Sequence, residues 1–256
     1  MEIPSTLDQF EFRQERLPIG SAFHYRKSNL DGSSPAAVSM YLSDGETLEV
    51  LKVEAHGVDA PLIRARLDWE RFGADRLRSW LVTGDGVRRQ MAEFSAEAEV
   101  IKVHLPMAGR NERVPIAHLP FHVYNFDLLS LVLMVPHLAR PDEPFSVGLY
   151  QPGFSPRAKS ALEYLGLAEF DPAGEVEDEG VVCRRYAVGG PAFGGKTGQL
   201  WAERDTGLVR WIAIPVPDHP DWDSFMLTFE RQERLGRAQW DAFVAETIGG
   251  LSGRAE

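Results

Sequence analysis

The sequence predicts a mainly β protein: a large antiparallel curved sheet or barrel, with a buried apolar helix in its middle and an amphipathic helix at its C-terminus. Three observations carry that prediction. Runs in which apolar and polar residues alternate recur about every 10–15 residues, with no helical pattern in between, which suits a barrel better than a βαβ fold. Turn signals separate the runs, among them Asp44-Gly45, Gly84-Asp85-Gly86 and Asp205-Thr206-Gly207, where glycine can take the positive φ of a tight hairpin. Two stretches break the two-residue period most clearly: Phe126–Val135, apolar on nearly all sides, and the segment after Gly236, with apolar residues at helical spacing.

Taken in order, residues 1–20 are polar, end in Pro18 and Gly20, and read as an N-terminal arm with room for one short helix. Residues 21–256 read as a single β-barrel-like domain with a candidate seam near 107–125. Ser21–Asn29 is the first strand, with Phe23, Tyr25 and Lys27 on one face. Ala36–Ser43 and Glu46–His56 flank the Asp44-Gly45 turn. In Leu62–Phe72, Ile63, Ala65, Leu67 and Trp69 oppose Arg64, Arg66, Asp68 and Glu70. Leu77–Thr83, Val87–Phe94 and Glu99–Leu105 continue the pattern, and Met107–Pro120 reads as a crossover.

In Phe126–Val135, Asp127 is placed to cap a short helix that Pro136 ends. Pro144–Tyr150 returns to strand. Ser155–Leu165 has the cap and first-turn proline of a helix, and Glu175–Arg185 reads as a strand after an acidic loop. Arg184–Val188, Gly198–Glu203, Leu208–Ile214 and Phe225–Glu233 form an antiparallel meander. By parity, Leu208, Arg210, Ile212 and Ile214 share one face, and Val209, Trp211 and Ala213 the other. Trp240, Phe243, Val244, Thr247 and Ile248 form the inner stripe of the final helix, which Gly249-Gly250 ends.

Composition bounds the function. Apolar residues make up 44% and charged residues 25% of the chain, as in an ordinary soluble globule. The net charge of −11 disfavours nucleic acid and anionic membrane surfaces as partners. The longest apolar run is far below the ~18 residues of a membrane-spanning helix, which argues against an integral membrane protein. The N-terminus has no apolar signal core, and Cys183 is the single cysteine, so a cytoplasmic location is the simplest expectation. The sequence is silent on oligomeric state.

No cofactor or metal motif meets its structural requirements. His118 and His122 have the i, i+4 spacing of some metal ligands, but Pro120 between them opposes a regular helix. Gly190–Thr197 fits the pattern of a phosphate-binding loop, yet a strand-like run follows it where the mechanism needs a helix N-terminus. Cys183 lies in an apolar run, which favours an inert thiol.

Tyr124–Leu131, Gly198–Asp205 and Leu208–Trp211 together resemble an uncharacterised bacterial family of antiparallel β half-barrels akin to lipoprotein-carrier domains. The resemblance spans roughly the second half of the chain. It implies a curved sheet around an apolar hollow and carries over no catalytic residue.

Three functional readings follow. The first is binding of an apolar or amphiphilic small molecule in a barrel or half-barrel cavity, with Arg66, Trp69, Trp80 and Trp211 as ligand-contacting candidates. The second is a cofactor-independent enzyme using acid–base residues in that cavity, with Tyr25, Lys52, Glu54 and His104 as catalytic candidates. The third is a scaffold that docks partners through a sheet edge or the final helix.

Overall fold

The computed structural model describes residues 2–124, 129–154, 158–217 and 222–252. Among the described residues one sheet of fifteen strands accounts for the architecture. The first half supplies β1 (Ser21–Ser28), β2 (Ala36–Leu42), β3 (Thr47–Glu54), β4 (Asp59–Asp68), β5 (Gly73–Thr83), β6 (Arg88–Glu97), β7 (Val100–Leu105) and β8 (Arg110–Pro115). The second half supplies β9 (Phe121–Val123), β10 (Phe145–Pro152), β11 (Leu162–Asp178), β12 (Val181–Gly189), β13 (Gly198–Glu203), β14 (Val209–Ile214) and β15 (Phe225–Arg234).

The strand order is β8-β7-β6-β5-β4-β3-β2-β1-β15-β14-β13-β12-β11-β10-β9. Two meanders are therefore joined where the first strand pairs with the last, from Ser21 opposite Arg234 to Ser28 opposite Met226. Neighbours are antiparallel except β9 and β10, which run parallel. Because directions alternate, the β1–β2, β3–β4, β5–β6 and β7–β8 turns share one end of the barrel, here termed distal. The start of β1, the end of β15 and the β13–β14 turn lie at the opposite, proximal end.

One face of nearly every strand enters a single apolar core. Phe23 and Tyr25 of β1, Met40 of β2, Val50 of β3, Phe170 of β11 and Leu227 of β15 all belong to it. Phe145 and Phe170 stack with ring centroids 4.5 Å apart, and Tyr186 meets Phe145 edge-on at 5.3 Å. The short helix α1 (Leu129–Met134) is buried in the same core through Leu131, Val132, Leu133 and Met134. The sheet rolls up so far that β9 reaches β5: a Cβ on Gly73 would stand 3.0 Å from the Phe121 carbonyl oxygen. The gaps left between β9 and the inner wall are about 20 Å³ each, too small for an organic ligand. The apolar hollow expected from the sequence is thus filled at its centre by the chain itself.

The outer face of β1–β5 is covered as well. Helix α2 (Arg237–Gly249) buries Trp240, Val244 and Ile248, each four residues apart, against Ala22, Tyr41, Leu51, Leu62 and Val82. Trp240 stacks on Tyr41 at 5.1 Å, and its Nε1–H donates to Glu49 Oε2 at 2.8 Å. Arg237 donates to the other oxygen of Glu49 at 2.8 Å. These charge-assisted bonds are what allow a carboxylate to sit 6% exposed between sheet and helix.

The N-terminal residues form an arm with two 3₁₀ turns, Leu7–Gln9 and Gln14–Arg16. Phe10 anchors it in the core. Thr6 N–H donates to Leu119 O, Glu11 N–H to His137 O and Arg13 N–H to His137 Nδ1. His137 is fully buried in a box of Phe12, Trp69 and Phe72.

Four sequence expectations are corrected. Leu162–Leu165 opens β11 and is not helical; residues 155–157 lie outside the described residues. Met107–Pro120 is no bare crossover, since β8 forms within it. Glu175–Arg185 is two strands, joined by Glu179 (φ 49°) and Gly180 (φ 82°), the paired positive dihedrals of a type I′ hairpin. In β14, Ala202 pairs with Val209 and Trp201 with Trp211, so Arg210 is a bulge residue and Val209 joins Ile212 and Ile214 in the core. Asp127, expected as a helix cap, lies outside the described residues.

Two outcomes follow. Trp240→Ala removes the stack and the Glu49 bond together, and is expected to cost about 3–5 kcal/mol in urea denaturation; a loss below about 1 kcal/mol contradicts the anchoring role of this side chain. Burial, with help from Arg16 and Arg13, pushes the His137 pKa down from 6.5 to about 4. The unfolded chain therefore takes up this proton first, so stability is full above pH ~6.5, falls between ~6.5 and ~4, and is flat below. The loss is at most about 3 kcal/mol. His122, pushed down to about 3, adds to the slope, so the test compares wild type with His137→Phe, whose slope is expected to be shallower.

Candidate functional site

Although the barrel centre is filled, a pocket of about 370 Å³ opens at the proximal end. Its floor is apolar: Phe23 from the start of β1, Val132 and Leu133 from α1, Pro136 after it, and Leu208 before β14. Its rim is polar: Glu15 and Arg16 from the arm, Glu203, Asp205 and Thr206 from the β13–β14 connection, and Gln232 from β15. The pocket exists because β1 and β15 are neighbours and because α1 stops short of the wall they make.

The turn Asp205-Thr206-Gly207 packs directly on Val135 and Pro136, in the 3₁₀ turn that follows α1. Gly207 has φ 78°, and a Cβ there would stand 2.7 Å from Pro136 Cα, so both its dihedral and its surroundings require glycine. Arg16 closes the other side by donating to Pro136 O at 2.9 Å. Gln232 is oriented by its donation to Ser21 Oγ at 3.2 Å.

Behind the rim lies an ionic network centred on the bulge residue Arg210. Its Nε donates to Asp178 at 2.8 Å and a terminal nitrogen to Glu179 at 3.0 Å, across from the β11–β12 turn. The other terminal nitrogen faces Glu203 at 3.5 Å, while Thr206 Oγ1 donates to Glu203 at 2.7 Å. The guanidinium also lies over the Phe229 ring, 5.1 Å from its centroid. Glu203 is thereby held in place at the pocket rim by two partners.

The sequence-predicted residues are distributed differently. Tyr25 lies on the inner face, 1% exposed, and its hydroxyl donates to Val209 O at 2.9 Å; burial pushes the phenol pKa up. Lys52 follows Val50 on the inward parity of β3 and is half-buried, and Glu54 is exposed at the distal end of that strand. His104 has the opposite parity to core residues Val103 and Leu105 and meets Asn111 in a shallow polar groove over β6–β8. These four side chains do not converge on one site. Arg66 is exposed and paired with Asp75, its Nε donating at 2.9 Å. Trp69 is half-buried, and its Nε1–H donates to Gly45 O at 2.6 Å. Trp80 packs beside the outer cluster under α2, and Trp211 meets Trp201 in a tilted pair with centroids 4.6 Å apart. None of the four ligand-contacting candidates lines the proximal pocket.

Two motif readings also have a place. His118 and His122 are both buried, with burial holding their pKa values down. Gly190–Thr197 turns through Pro191–Phe193 and enters β13, with Lys196 Nζ donating to Pro215 O at 3.0 Å, so a strand follows the loop. Sequence reasoning missed the pocket residues because they come from five separated segments. The sequence signals that bear on them are Phe23 on the same parity as Tyr25 and the apolar run that becomes α1.

No family model and no curated protein matches the chain. Among solved structures it is similar to a β-barrel-like protein of the domain of unknown function DUF1849 from Brucella abortus, with a TM-score of 0.46, 9% identity, and coverage of 84% of this chain and 97% of that one. It is also similar to a DUF1329 family protein from Desulfovibrio piger, with a TM-score of 0.31, 9% identity, and coverage of 86% and 88%. Neither description concerns a lipoprotein carrier.

Proposed function

We propose that this chain binds one apolar or amphiphilic small molecule in the proximal pocket. The observation that carries the reading is the pairing of an apolar floor with a polar rim in a space of about 370 Å³. Small-ligand sites typically occupy roughly 300–1,000 Å³ and combine apolar walls with a few placed polar groups. A hydrocarbon segment lies against Phe23, Val132, Leu133 and Leu208, and its polar end meets the rim at Thr206, Glu203 and Gln232. The site sits on a rigid frame, because the β1–β15 pairing fixes one wall and the Gly207–Pro136 contact the other.

Binding without chemistry is the reading retained. An acid–base enzyme built on Tyr25, Lys52, Glu54 and His104 needs groups that meet around one substrate, and these occupy both faces of the sheet. The partner-docking reading relied on a free terminal helix or sheet edge. Here α2 is packed onto the sheet, Ala161 N–H donates to Glu112 beside the β8 edge at 2.8 Å, and the arm bonds to Leu119 beside β9.

The test is titration with the neutral probe N-phenyl-1-naphthylamine, followed by displacement with dodecanoate. Saturable binding at one equivalent is expected. Leu208→Arg in the floor and Thr206→Trp at the exposed mouth should each weaken it at least tenfold, with the thermal midpoint little changed. Non-saturable uptake, or binding indifferent to both substitutions, refutes the assignment.

A further inference from the structure

The distal end of the first meander carries a second feature, independent of the pocket. Its four consecutive hairpin turns each present one large apolar residue: Leu30 between β1 and β2, Val58 between β3 and β4, Val87 between β5 and β6, and Met107 between β7 and β8. They are 44%, 49%, 55% and 60% exposed, the four highest values among the large apolar side chains described as exposed. The proximal turns of the same meander differ. Ser43–Glu46 and Ala98–Glu99 carry no large apolar residue, and at Trp69–Phe72 the aromatics are turned into the core or half-buried. The remaining exposed apolar residues lie elsewhere: Phe12 against Trp69 and His137, Ile19 at the proximal end, and Tyr164 beside Tyr150.

Hairpin tips are normally polar, since their function in the fold is only to reverse the chain. Gly32, Gly86 and Gly109, all at positive φ, already supply that reversal in three of the turns, and Gly57 N–H closes the fourth by donating to Glu54 O. An aliphatic side chain at each of four successive tips adds nothing to the turns and leaves apolar surface in water. Charge distribution points the same way. On a chain of net charge −11, the four turns and the residues flanking them carry Asp31, Glu54, Asp59 and Asp85 as acidic residues. Asp31 is engaged by Ser33 and Asp85 by Thr83 and Val87 within their own turns. The exposed Arg88 and Arg89 stand directly after Val87 and Arg110 directly after Gly109, so three cations face those four carboxylates. This rim is only mildly acidic on a strongly acidic protein.

We infer that the distal rim is a peripheral docking surface for a lipid bilayer, with Leu30, Val58, Val87 and Met107 entering the headgroup–acyl boundary. Two arguments favour lipid over a protein partner. Successive tips are two strand spacings apart, roughly 10 Å, so the apolar points stand separately. A stable protein interface buries roughly 800 Å² per partner in a continuous complementary patch, which four isolated side chains do not supply. A fluid hydrocarbon boundary accepts separate side chains wherever they fall. The small rim charge suits a zwitterionic bilayer, whereas the acidic body is repelled by an anionic one. No described helix is long and apolar enough to cross a membrane.

The experiment is co-sedimentation of the full chain with sucrose-loaded phosphatidylcholine vesicles. Wild type should partition onto them, with little change between 0.05 and 0.5 M salt because screening acts on charges alone. The quadruple variant Leu30→Asp, Val58→Asp, Val87→Asp, Met107→Asp should lose at least tenfold in partitioning, while Ile19→Asp keeps the wild-type value. Absence of wild-type binding, or equal loss in the Ile19→Asp control, overturns the inference. So does concentration-dependent self-association that the same four substitutions abolish without any vesicle binding, an outcome that assigns the rim to a second copy of the chain. Should the quadruple variant fail to fold, an environment-sensitive dye on Val87→Cys decides. A blue shift on adding vesicles, absent for the same dye on Ile19→Cys, supports docking, and no shift at Val87 excludes it. Cys183 is fully buried and does not compete for the label.

Discussion

The pairing of β1 with β15 is the constraint on which the rest depends. It joins the two ends of the sheet-forming sequence in eight cross-strand partnerships, from Ser21–Arg234 to Ser28–Met226. Without it the chain would be two separate meanders, each with an apolar face turned to water. With it, the inner faces become one core, and Phe23 and Gln232 become neighbours in a pocket wall. It also delivers α2 to its place. Leu235 N–H donates to Gly20 O at 2.8 Å, so the helix that follows starts beside β1 and lies back across β2–β5. Such contacts between distant parts of the chain are entropically demanding to close, and they are repaid only when the whole core forms.

Much of this fold was legible in the sequence, because alternation reports burial directly. Gly198–Glu203 has the same limits in sequence and structure, and the placement of Phe23, Tyr25 and Lys27 on one buried face follows from parity alone. Where the reading failed, a local irregularity had broken the period. The bulge at Arg210 shifts the parity of β14, and the Glu179-Gly180 turn hides a hairpin because glutamate rarely takes positive φ. Ser155–Leu165 has the cap and proline of a helix, yet Leu162, Glu163 and Tyr164 pair with β10 and become strand, since tertiary pairing overrides local preference.

The candidate site was hardly legible at all. A face that is inner by parity was expected to line a hollow, but β9 and α1 occupy that space, so Tyr25 became a core residue bonded to a backbone carbonyl. Which strands roll inward is a property of accumulated twist and of what fills the centre. It is not written in any window of residues. The pocket appears only where that filling ends, from side chains contributed by the arm, β1, α1, the β13–β14 turn and β15. Apolar residues on both faces of β3 had a plainer meaning: Leu48 and Val50 face the core, while Leu51 and Val53 await the helix that arrives almost two hundred residues later.

An open sheet of this size has two margins, and the way each is finished has a bearing on how the protein behaves in a crowded solution. Strand margins with unpaired backbone groups are templates on which further chains can grow. At one margin, the Glu112 side chain of β8 accepts from Ala161 N–H and the Arg110 side chain donates to Ala158 O, so a passing segment of the same chain lies beside the flank. At the other, β9 is tucked against β5 and the arm continues alongside through Thr6 and Leu119. Growth at these margins is hindered by residues 158–161 and by the start of the arm, segments that lie outside the strands they flank.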